Sequence, residues 1–251
     1  MRLYAALIAQ IMSLAPSTLA QWVGAIATSA AVIVALFKDE ILRRIRRPQL
    51  SVRIDPTPPD CLRSPTTVTQ QDPDSNSARV LQLWSGDSYW LRLRIENTGN
   101  TRAEQVQVFL SKLYKKDANQ AFIVVADFVP MNLRWANSRD WKNPEIFAPG
   151  ISHKMGKHCD LCSISDPANP HDLLQGHQGQ CVATLQLEVF PSGDRHRLPL
   201  GDYVLELMVG AANADPITAY VELNLKGTWS PDQALMFRDH LGVKIVPRPK
   251  Q

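Results

Sequence analysis

The feature that most constrains this chain is a charge-free segment near its start. Residues 3–37 contain no Asp, Glu, Lys, Arg or His, and a cluster of basic residues follows. About 20 mostly apolar residues are enough to cross the hydrocarbon core of a bilayer, and residues 19–37, LAQWVGAIATSAAVIVALF, approach that length. The sequence therefore predicts one transmembrane helix within residues 18–47, preceded by a separate apolar segment over residues 1–17.

Both ends of this helix carry sequence signals. Pro16 interrupts the apolar run, and Thr18 with Gln21 matches a capping box, so we expect the helix to begin at residue 17 or 18. At the other end, Pro48 disfavours helical geometry at the residue before it, so the helix is expected to end there.

The Lys and Arg residues around the predicted span are unequally distributed. One of them, Arg2, precedes the span, and the cluster that follows consists of Lys38, Arg43, Arg44, Arg46 and Arg47. Cytoplasmic flanks of membrane spans carry the excess of basic residues. This predicts a single-pass protein of the cell (inner) membrane with its C-terminal domain in the cytoplasm. We expect this membrane-surface cluster to contact anionic lipid headgroups, and a solvated helix end without lipid specificity is the alternative.

Other interpretations of the N-terminal region stay open. Residues 1–20 combine one arginine, an apolar run and small residues, as a cleaved secretory signal peptide does. An interfacial helix beside the span, or a buried core helix of a soluble protein, would also be apolar. Ala20, Gly24 and Thr28 form a row of small residues of the kind that lets membrane helices approach closely. The row predicts weak homo-oligomers through this helix, with simple contact to lipid as the alternative.

Residues 48–251 have the composition and pattern of a mainly β domain. Acidic and basic residues nearly balance there, which argues against a nucleic-acid surface. Short segments alternate between apolar and polar residues, as strands with one buried face do, and turn residues separate them. The alternating segments are residues 50–54, 89–96, 106–110, 121–126, 184–190, 203–209 and 217–225. They predict an antiparallel, immunoglobulin-like β-sandwich, because no helical crossovers lie between the strands.

Two segments of this domain are expected to differ from strands. Residues 55–79 are rich in Pro, Ser, Thr, Gln and Asp and are predicted to form a mobile loop. Near the end, SPDQALMFRDHLG predicts a short helix with Ser230 as its N-cap and Gly242 just past its last residue. The predicted core face of this helix consists of Ala234, Leu235, Phe237 and Leu241. The VKIV that follows is expected to return to the sheet as a final strand.

The segment IENTGNTRAEQVQV resembles a hairpin of bacterial immunoglobulin-like sandwich domains, including those of the CARDB type. The residues that carry the resemblance are Asn97, Gly99, Ala103, Val106 and Val108. LPLGDYVLEL likewise resembles the strand entry of such domains. The resemblance implies a sandwich in which the strands on either side of NTGN pair. It also implies a binding or spacer role, without pointing to an activity.

The segment HCDLCSISDPANPHDLLQGHQGQC contains the residues with the most specific chemistry. Two thiolates separated by two residues, followed by a second pair, have the spacing of a C2HC zinc site. The candidate ligands are Cys159, Cys162, His177 and Cys181, with His158 or His171 as substitutes. The alternative is that the cysteines lie buried in strands as small apolar residues. A redox role for the CxxC pair is disfavoured, since no βαβ pattern surrounds it.

Familiar catalytic motifs do not occur in the sequence: it has no nucleophile elbow, phosphate-binding glycine loop or H-E-x-x-H pair. We therefore predict no catalytic residues and, apart from the zinc alternative, no cofactor. Tryptophans 84, 90, 135, 141 and 229 could form a ligand patch or fill the core. The predicted function is a non-catalytic, membrane-tethered binding, sensing or scaffold module with an unidentified protein partner. A zinc-stabilised binding domain and a membrane-tethered hydrolase are the alternatives.

Overall fold

A computed structural model describes residues 16–45, 47–71, 80–137, 146–148, 150–170 and 174–249. The chain divides into two compact units, Met1–Arg47 and Pro48–Gln251. The boundary between them falls at Pro48, where the sequence predicts that the helix ends and the β domain begins.

The first unit contains one continuous helix, Pro16–Ile45. Pro16 occupies the first helical turn, where its missing N–H leaves no hydrogen bond unmade. The predicted start at residue 17 or 18 is therefore slightly late. Ala20–Asp39 within this helix is long and apolar enough to cross a membrane, with a mean hydropathy of 1.8 and none of it buried. Length and composition of this kind also fit a signal sequence. The first fifteen residues of the predicted apolar segment lie outside the described ranges.

The second unit is a sandwich of two antiparallel sheets, which confirms the predicted mainly β fold. Its strands are β1 (Leu50–Arg53), β2 (Cys61–Gln71), β3 (Val80–Asn97), β4 (Gln107–Lys116), β5 (Phe122–Val124), β6 (Met131–Asn132), β7 (Gly156–Ser165), β8 (Ala183–Leu185), β9 (Arg197–Leu198), β10 (Gly201–Ala211), β11 (Ala214–Leu225) and β12 (Leu241–Val246). The first sheet has the order β1-β3-β7-β8-β9, with β2 also paired to β3. The second has the order β12-β11-β10-β4-β5, with β6 also paired to β4.

A single apolar core lies between the two sheets. On β3 the side chains of Tyr89, Leu91, Leu93 and Ile95 are fully buried, as the alternation predicts. Val108 and Leu110 of β4 and Leu205, Leu207 and Val209 of β10 are buried in the same cluster. The period of two in the sequence thus corresponds to one core-facing side of each strand.

The predicted pairing on either side of NTGN is wrong. β3 pairs with β1, β2 and β7, whereas β4 pairs with β5, β6 and β10, so the two strands lie in different sheets. Asn97 is fully buried at the point where the chain leaves the first sheet. Its side-chain amide donates to the carbonyls of Thr101 (2.6 Å) and Ile151 (2.9 Å), and its side-chain oxygen accepts from the N–H of Gly99 (3.0 Å). These hydrogen bonds stabilise a connection that carries the chain from the first sheet to the second. The sequence predicts a hairpin turn at this point instead.

The predicted loop over residues 55–79 is wrong for residues 61–71. These form β2, which pairs with β3 from Cys61 opposite Leu91 to Gln71 opposite Val80. The segment contains few apolar residues, but Thr and Val suit extended geometry, and β3 supplies a strand partner along its length. Residues 72–79 lie outside the described ranges.

The C-terminal helix is present but shorter than predicted. It consists of Gln233–Leu235, followed by a π-helical turn over Met236–His240 and then by β12. Asp232, not Ser230, caps it, with its carboxylate accepting from the N–H of Leu235 at 3.1 Å. The buried residue of this segment is Met236, whereas Ala234 is exposed. The predicted final strand is confirmed and begins earlier than expected, so Gly242 lies inside it.

Candidate functional site

The membrane-surface cluster lies at the C-terminal end of the N-terminal helix. Lys38 is exposed, and Arg47 just beyond the helix is partly exposed. Arg43 and Arg44 belong to the last turn of the helix, and Arg46 lies outside the described residues. Because the helix dipole favours positive charge at a C-terminus, the cluster suits the helix end on which it lies.

One polar group within the apolar helix is satisfied by the helix itself. The hydroxyl of Thr28 donates to the carbonyl of Gly24 at 2.8 Å. Polar groups in a bilayer must find partners within the protein, so this bond makes Thr28 compatible with lipid. Homo-oligomers through the row of small residues stay a prediction.

The cysteines of the proposed zinc set are buried, and all four cysteines of the chain are free thiols. On β7, Cys162 pairs with Leu91 and Asp160 pairs with Arg92, so Leu161 is an extra residue that forms a bulge. In a regular strand, residues 159 and 162 would point to opposite faces. The bulge instead lets both cysteines enter the core. Burial raises the pKa of Cys159 well above its ordinary value and also raises that of Cys162.

The candidate zinc ligands do not form one site. Cys159 Sγ donates to the carbonyl of Arg134 at 3.2 Å, and His177 Nδ1 is hydrogen bonded to Gln180 Oε1 at 3.1 Å. Cys181 lies just before β8, and its N–H donates to the Gly227 carbonyl at 2.9 Å. Over the described ranges, which omit His171, no group of three or more His, Cys, Asp or Glu side chains could hold a metal ion. These positions match the alternative in which the cysteines serve as small apolar residues.

We expect the four thiols to react slowly with iodoacetamide in the folded protein. Burial raises the pKa of Cys61 and of Cys181 to about 12, and the thiolate is the reactive form. Alkylation at pH 8, followed by mass spectrometry, should be at least tenfold slower than in the denatured chain, by the thiolate fraction that these pKa values imply. EDTA is the control. If EDTA accelerates alkylation of Cys159 and Cys162, a bound metal protects them and the zinc alternative is favoured.

An ionic cluster joins distant parts of the chain on the face of the first sheet that points away from the core. It consists of Asp60, Arg92, Arg134, His158 and Asp160. Arg92 on β3 and Asp160 on β7 are cross-strand neighbours, with Nε and Oδ1 2.9 Å apart. His158 Nε2 lies 2.9 Å from Asp60 Oδ1, and the Asp60 side chain is 4% exposed.

Backbone contacts fix the geometry of this ionic cluster. The N–H of Arg92 donates to the carbonyl of Asp60 at 2.8 Å, and the N–H of Asp160 donates to the carbonyl of Arg134 at 2.9 Å. Burial raises the pKa of Asp160, and the charge and hydrogen bond of Arg92 oppose that shift. Burial also lowers the pKa of Arg134, and Asp160 opposes the change. The cluster therefore holds partly desolvated charges that stabilise one another.

The Asp60–His158 pair is the arrangement within the ionic cluster that resembles a general base. A carboxylate on one ring nitrogen orients the imidazole and leaves the other nitrogen for proton transfer. Nucleophilic catalysis would also need a hydroxyl or thiol within hydrogen-bond reach of that nitrogen. In the described part of the chain, the imidazole is hydrogen bonded to Asp60 and to no hydroxyl or thiol. The Asp60 carboxylate can therefore orient the His158 imidazole, but among the described residues no nucleophile is hydrogen bonded to that ring.

A second polar network lies on the second sheet around Glu206, whose side chain is 10% exposed. Its carboxylate accepts from the hydroxyls of Ser111 and Tyr114, both at 2.9 Å, and from Lys112 Nζ at 3.2 Å. Burial alone would raise the pKa of Glu206, but these hydrogen bonds outweigh burial and lower it. Burial and Glu206 together raise the pKa of Tyr114 to about 12. The network keeps the carboxylate ionised and holds β4 against β10.

Substitution Glu206→Gln is expected to destabilise the fold at pH 7 by about 1–3 kcal/mol, because charged hydrogen bonds are weakened. The folded-state pKa of Glu206 lies below its unfolded value, so its contribution is present above about pH 4.5 and is lost as the pH falls through the folded pKa. The difference in unfolding free energy between wild type and variant should therefore shrink below about pH 4. Urea unfolding at several pH values measures it. Glu222→Gln, which removes an ion pair with Lys244 on the neighbouring strands, is the matched control, and an equal loss there would contradict a special role for Glu206.

The tryptophans that the structure describes in the β unit do not gather into one patch. Trp135 is buried in the core, where its Nε1 donates to the carbonyl of Ile146 at 3.0 Å. Trp229 packs against Tyr89, with ring centroids 4.9 Å apart. The others are Trp84 and Trp90, which lie on β3, and Trp141, which is outside the described residues.

Sequence reasoning missed both polar networks. The only signal for the ionic cluster is the row of charges at alternate positions on β3, which the alternation assigns to the face opposite the core. Asp60 and Asp160, which complete the ionic cluster, belong to no recognisable sequence pattern. Glu206, the centre of the second network, is a single polar residue within an otherwise apolar strand. No protein-family model matches this chain, and no curated protein sequence matches it.

Proposed function

We propose that this chain is a single-pass membrane protein that holds a non-catalytic binding module at the cytoplasmic face. One observation carries the proposal: the apolar helical segment Ala20–Asp39, which is free of charged residues up to residue 37, has none of its residues buried and precedes a self-contained β unit. Large apolar side chains along it are more than half exposed, including Trp22 at 61% and Leu36 at 73%. Apolar surface of this extent needs a cover, and lipid provides one for a helix of this length.

The basic residues that follow the helix support the cytoplasmic placement of the β unit and a role for anionic lipid headgroups. A tethered domain is concentrated at the membrane, so a weak protein-binding surface is sufficient for function. The hydrolase alternative has one observation in its favour, the Asp60–His158 pair at 2.9 Å. We place the hydrolase alternative second because the ionic cluster contains no hydroxyl or thiol that could act as the nucleophile. The hydrolase alternative predicts that the purified chain has an esterase activity and that His158→Ala abolishes it.

We also propose that the sandwich is immunoglobulin-like. The hydroxyl of Tyr203, near the start of β10, donates to the carbonyl of Pro199 four residues earlier, at 3.0 Å. A tyrosine bonded back to the preceding backbone at the start of a strand is a feature of immunoglobulin sandwiches. The bond lies within LPLGDYVLEL, the segment that resembles the strand entry of such domains.

Membrane attachment is tested by fractionation of cells that express the full chain. We expect the protein to stay in the membrane pellet after alkaline carbonate washing, and a variant without residues 1–47 to be soluble. Ala30→Lys together with Ala31→Lys should release much of the protein, since both lie near the middle of Ala20–Asp39 and a lysine at a span centre costs about 2.5–3.5 kcal/mol. Lys112→Gln, on the β unit, is the matched control. Recovery of the full chain in the soluble fraction, or of a mature form lacking residues 20–39, would contradict the proposal.

A further inference from the structure

A cavity of about 190 Å³ opens at the edge of the sandwich, where the end of β4 meets β9 and the start of β10. Leu113, Leu198 and Tyr203 line it and are nearly fully buried, with 2–3% exposure. Val125 and Phe128 add apolar lining from the segment around β5. The bond from the Tyr203 hydroxyl to Pro199 fixes the tyrosine ring in place. The cavity is therefore a preformed apolar recess.

Basic side chains also line this recess. Lys115 follows Leu113 by two residues on β4 and pairs with Tyr203 of β10, so both side chains lie on the same side of the sheet, with Tyr203 buried and Lys115 exposed at the edge of the sandwich. The Lys115 ammonium lies 5.7 Å from the centroid of the Tyr203 ring. Arg195 and Arg197 also line the cavity, and Asp127 is the one carboxylate among its described lining residues. The lining thus carries more positive than negative charge beside an apolar interior.

The ion pair of Arg195 is long and exposed to solvent, whereas the Arg197 side chain is mostly buried, with 18% exposure. Arg195 Nε lies 3.8 Å from Asp127 Oδ2, and Arg197 Nη1 lies 3.6 Å from Asp194 Oδ1. The two aspartate side chains are more than half exposed, and such pairs contribute little to stability. A carboxylate that approached the cavity could therefore share the Arg195 guanidinium at low cost.

We propose that this cavity binds a small carboxylate with one apolar ring, with the ring in the recess and the carboxylate near Lys115 and Arg195. The size fits, because an apolar cavity of about 150 Å³ already accommodates benzene. The volume of about 190 Å³ lies below the roughly 300–1,000 Å³ of most ligand pockets, so the proposed occupant is a small molecule. This inference deepens the proposed binding function and rests on it, but membrane attachment is measured separately by fractionation.

The test uses the full chain in phosphatidylcholine nanodiscs and follows para-fluorobenzoate by fluorine NMR, with empty nanodiscs as the blank. We expect the protein to broaden the ligand signal and the neutral para-fluorobenzamide to bind about tenfold more weakly, since it lacks the charge. Lys115→Gln combined with Arg195→Gln should weaken para-fluorobenzoate binding to a similar extent. Both side chains are exposed, so the fold should be retained. Arg238→Gln, at an exposed pair with Asp239 outside the cavity, should bind like wild type.

A second variant tests the apolar half of the recess. Val125→Trp places a large ring from the cavity wall into the recess and should abolish binding, with an unchanged melting temperature as proof of folding. Equal affinity for the carboxylate and the amide would overturn the proposal. So would full binding by the Lys115→Gln/Arg195→Gln variant, or a wild-type chain that stays in membranes and leaves the ligand signal unchanged. That last result would support membrane attachment and would contradict only the proposed ligand.

Discussion

A fragment of residues 48–227 is expected not to unfold cooperatively, whereas residues 48–251 should show one sharp transition. The deletion removes β12, whose Leu241 and Val243 are buried, and the buried Met236 before it. Loss of one buried Leu or Met side chain costs about 2–5 kcal/mol, and a whole domain is stable by about 5–15 kcal/mol. Loss of Leu241 and Met236 at this cost, with the buried Val243 in addition, is comparable with the whole stability of the domain.

The C-terminal segment also bonds to both sheets. β12 pairs with β11 of the second sheet from Leu241 opposite Leu225 to Val246 opposite Tyr220. On the first sheet, the Tyr89 hydroxyl donates to the Ser230 carbonyl at 2.8 Å. Without the segment, β11 becomes an unprotected edge strand, which promotes aggregation.

The Gln233 side chain adds a further link to the first sheet. Its amide donates to the Cys61 carbonyl and its oxygen accepts from the N–H of Arg63, both at 3.2 Å. It thus occupies backbone groups at the start of β2 that would otherwise lie on an open edge.

Thermal melting followed by circular dichroism measures the effect of this deletion. Removal of residues 247–251 alone is the matched control, since it leaves β12 intact and should change the melting temperature by only a few degrees. If residues 48–227 melted at the same temperature as residues 48–251, the C-terminal segment would be an appendage to the fold.

Alternation in the sequence was sufficient to predict the central strands. β3 and β11 bury alternate residues against a common core, so their apolar residues recur at every second position, whereas β10 buries a continuous run over residues 203–207. The core face of β3, from Tyr89 to Ile95, could be named from the sequence for this reason. β12 could be predicted as well, because VKIV is rich in β-branched residues, but its start at Leu241 could not, since Gly242 lies inside the strand and does not mark the end of a helix.

Features that depend on the partner strand could not be predicted. β2 has a polar, loop-like composition, and its pairing with β3 is what makes it a strand. The NTGN segment has the residues of a tight turn, yet buried Asn97 directs the chain to the other sheet. In both cases the tertiary environment supplies hydrogen bonds that local sequence does not encode.

The site residues were predictable only in part. Cys159 and Cys162 have the spacing of metal ligands, but the bulge at Leu161 gives them core positions that a spacing rule cannot foresee. The ionic cluster combines Asp60 with His158, which are far apart in the chain, so no local pattern marks the pair. The N-terminal helix is the opposite case, since its composition alone defines it.

Redistribution of charge around this helix is expected to reverse the orientation of the protein. The variant replaces the five basic residues after the span with glutamine and adds three arginines before it. Because the flank richer in basic residues stays on the cytoplasmic side, the β unit should then lie on the other side of the membrane. The substituted residues are Lys38, Arg43, Arg44, Arg46 and Arg47 to Gln, with Leu3, Tyr4 and Ala5 to Arg. A variant with the same number of substitutions among exposed lysines and arginines of the β unit should keep the original orientation.

The central claim is that the β unit lies at the cytoplasmic side of a membrane. Reporters fused after Gln251 test it most directly: β-galactosidase, which is active in the cytoplasm, and alkaline phosphatase, which is active only after export. We predict high β-galactosidase and background phosphatase activity for the wild-type chain, and the reverse for the charge-redistributed variant. High phosphatase activity in the wild-type fusion would contradict the account, because it would place the β unit outside the cytoplasm.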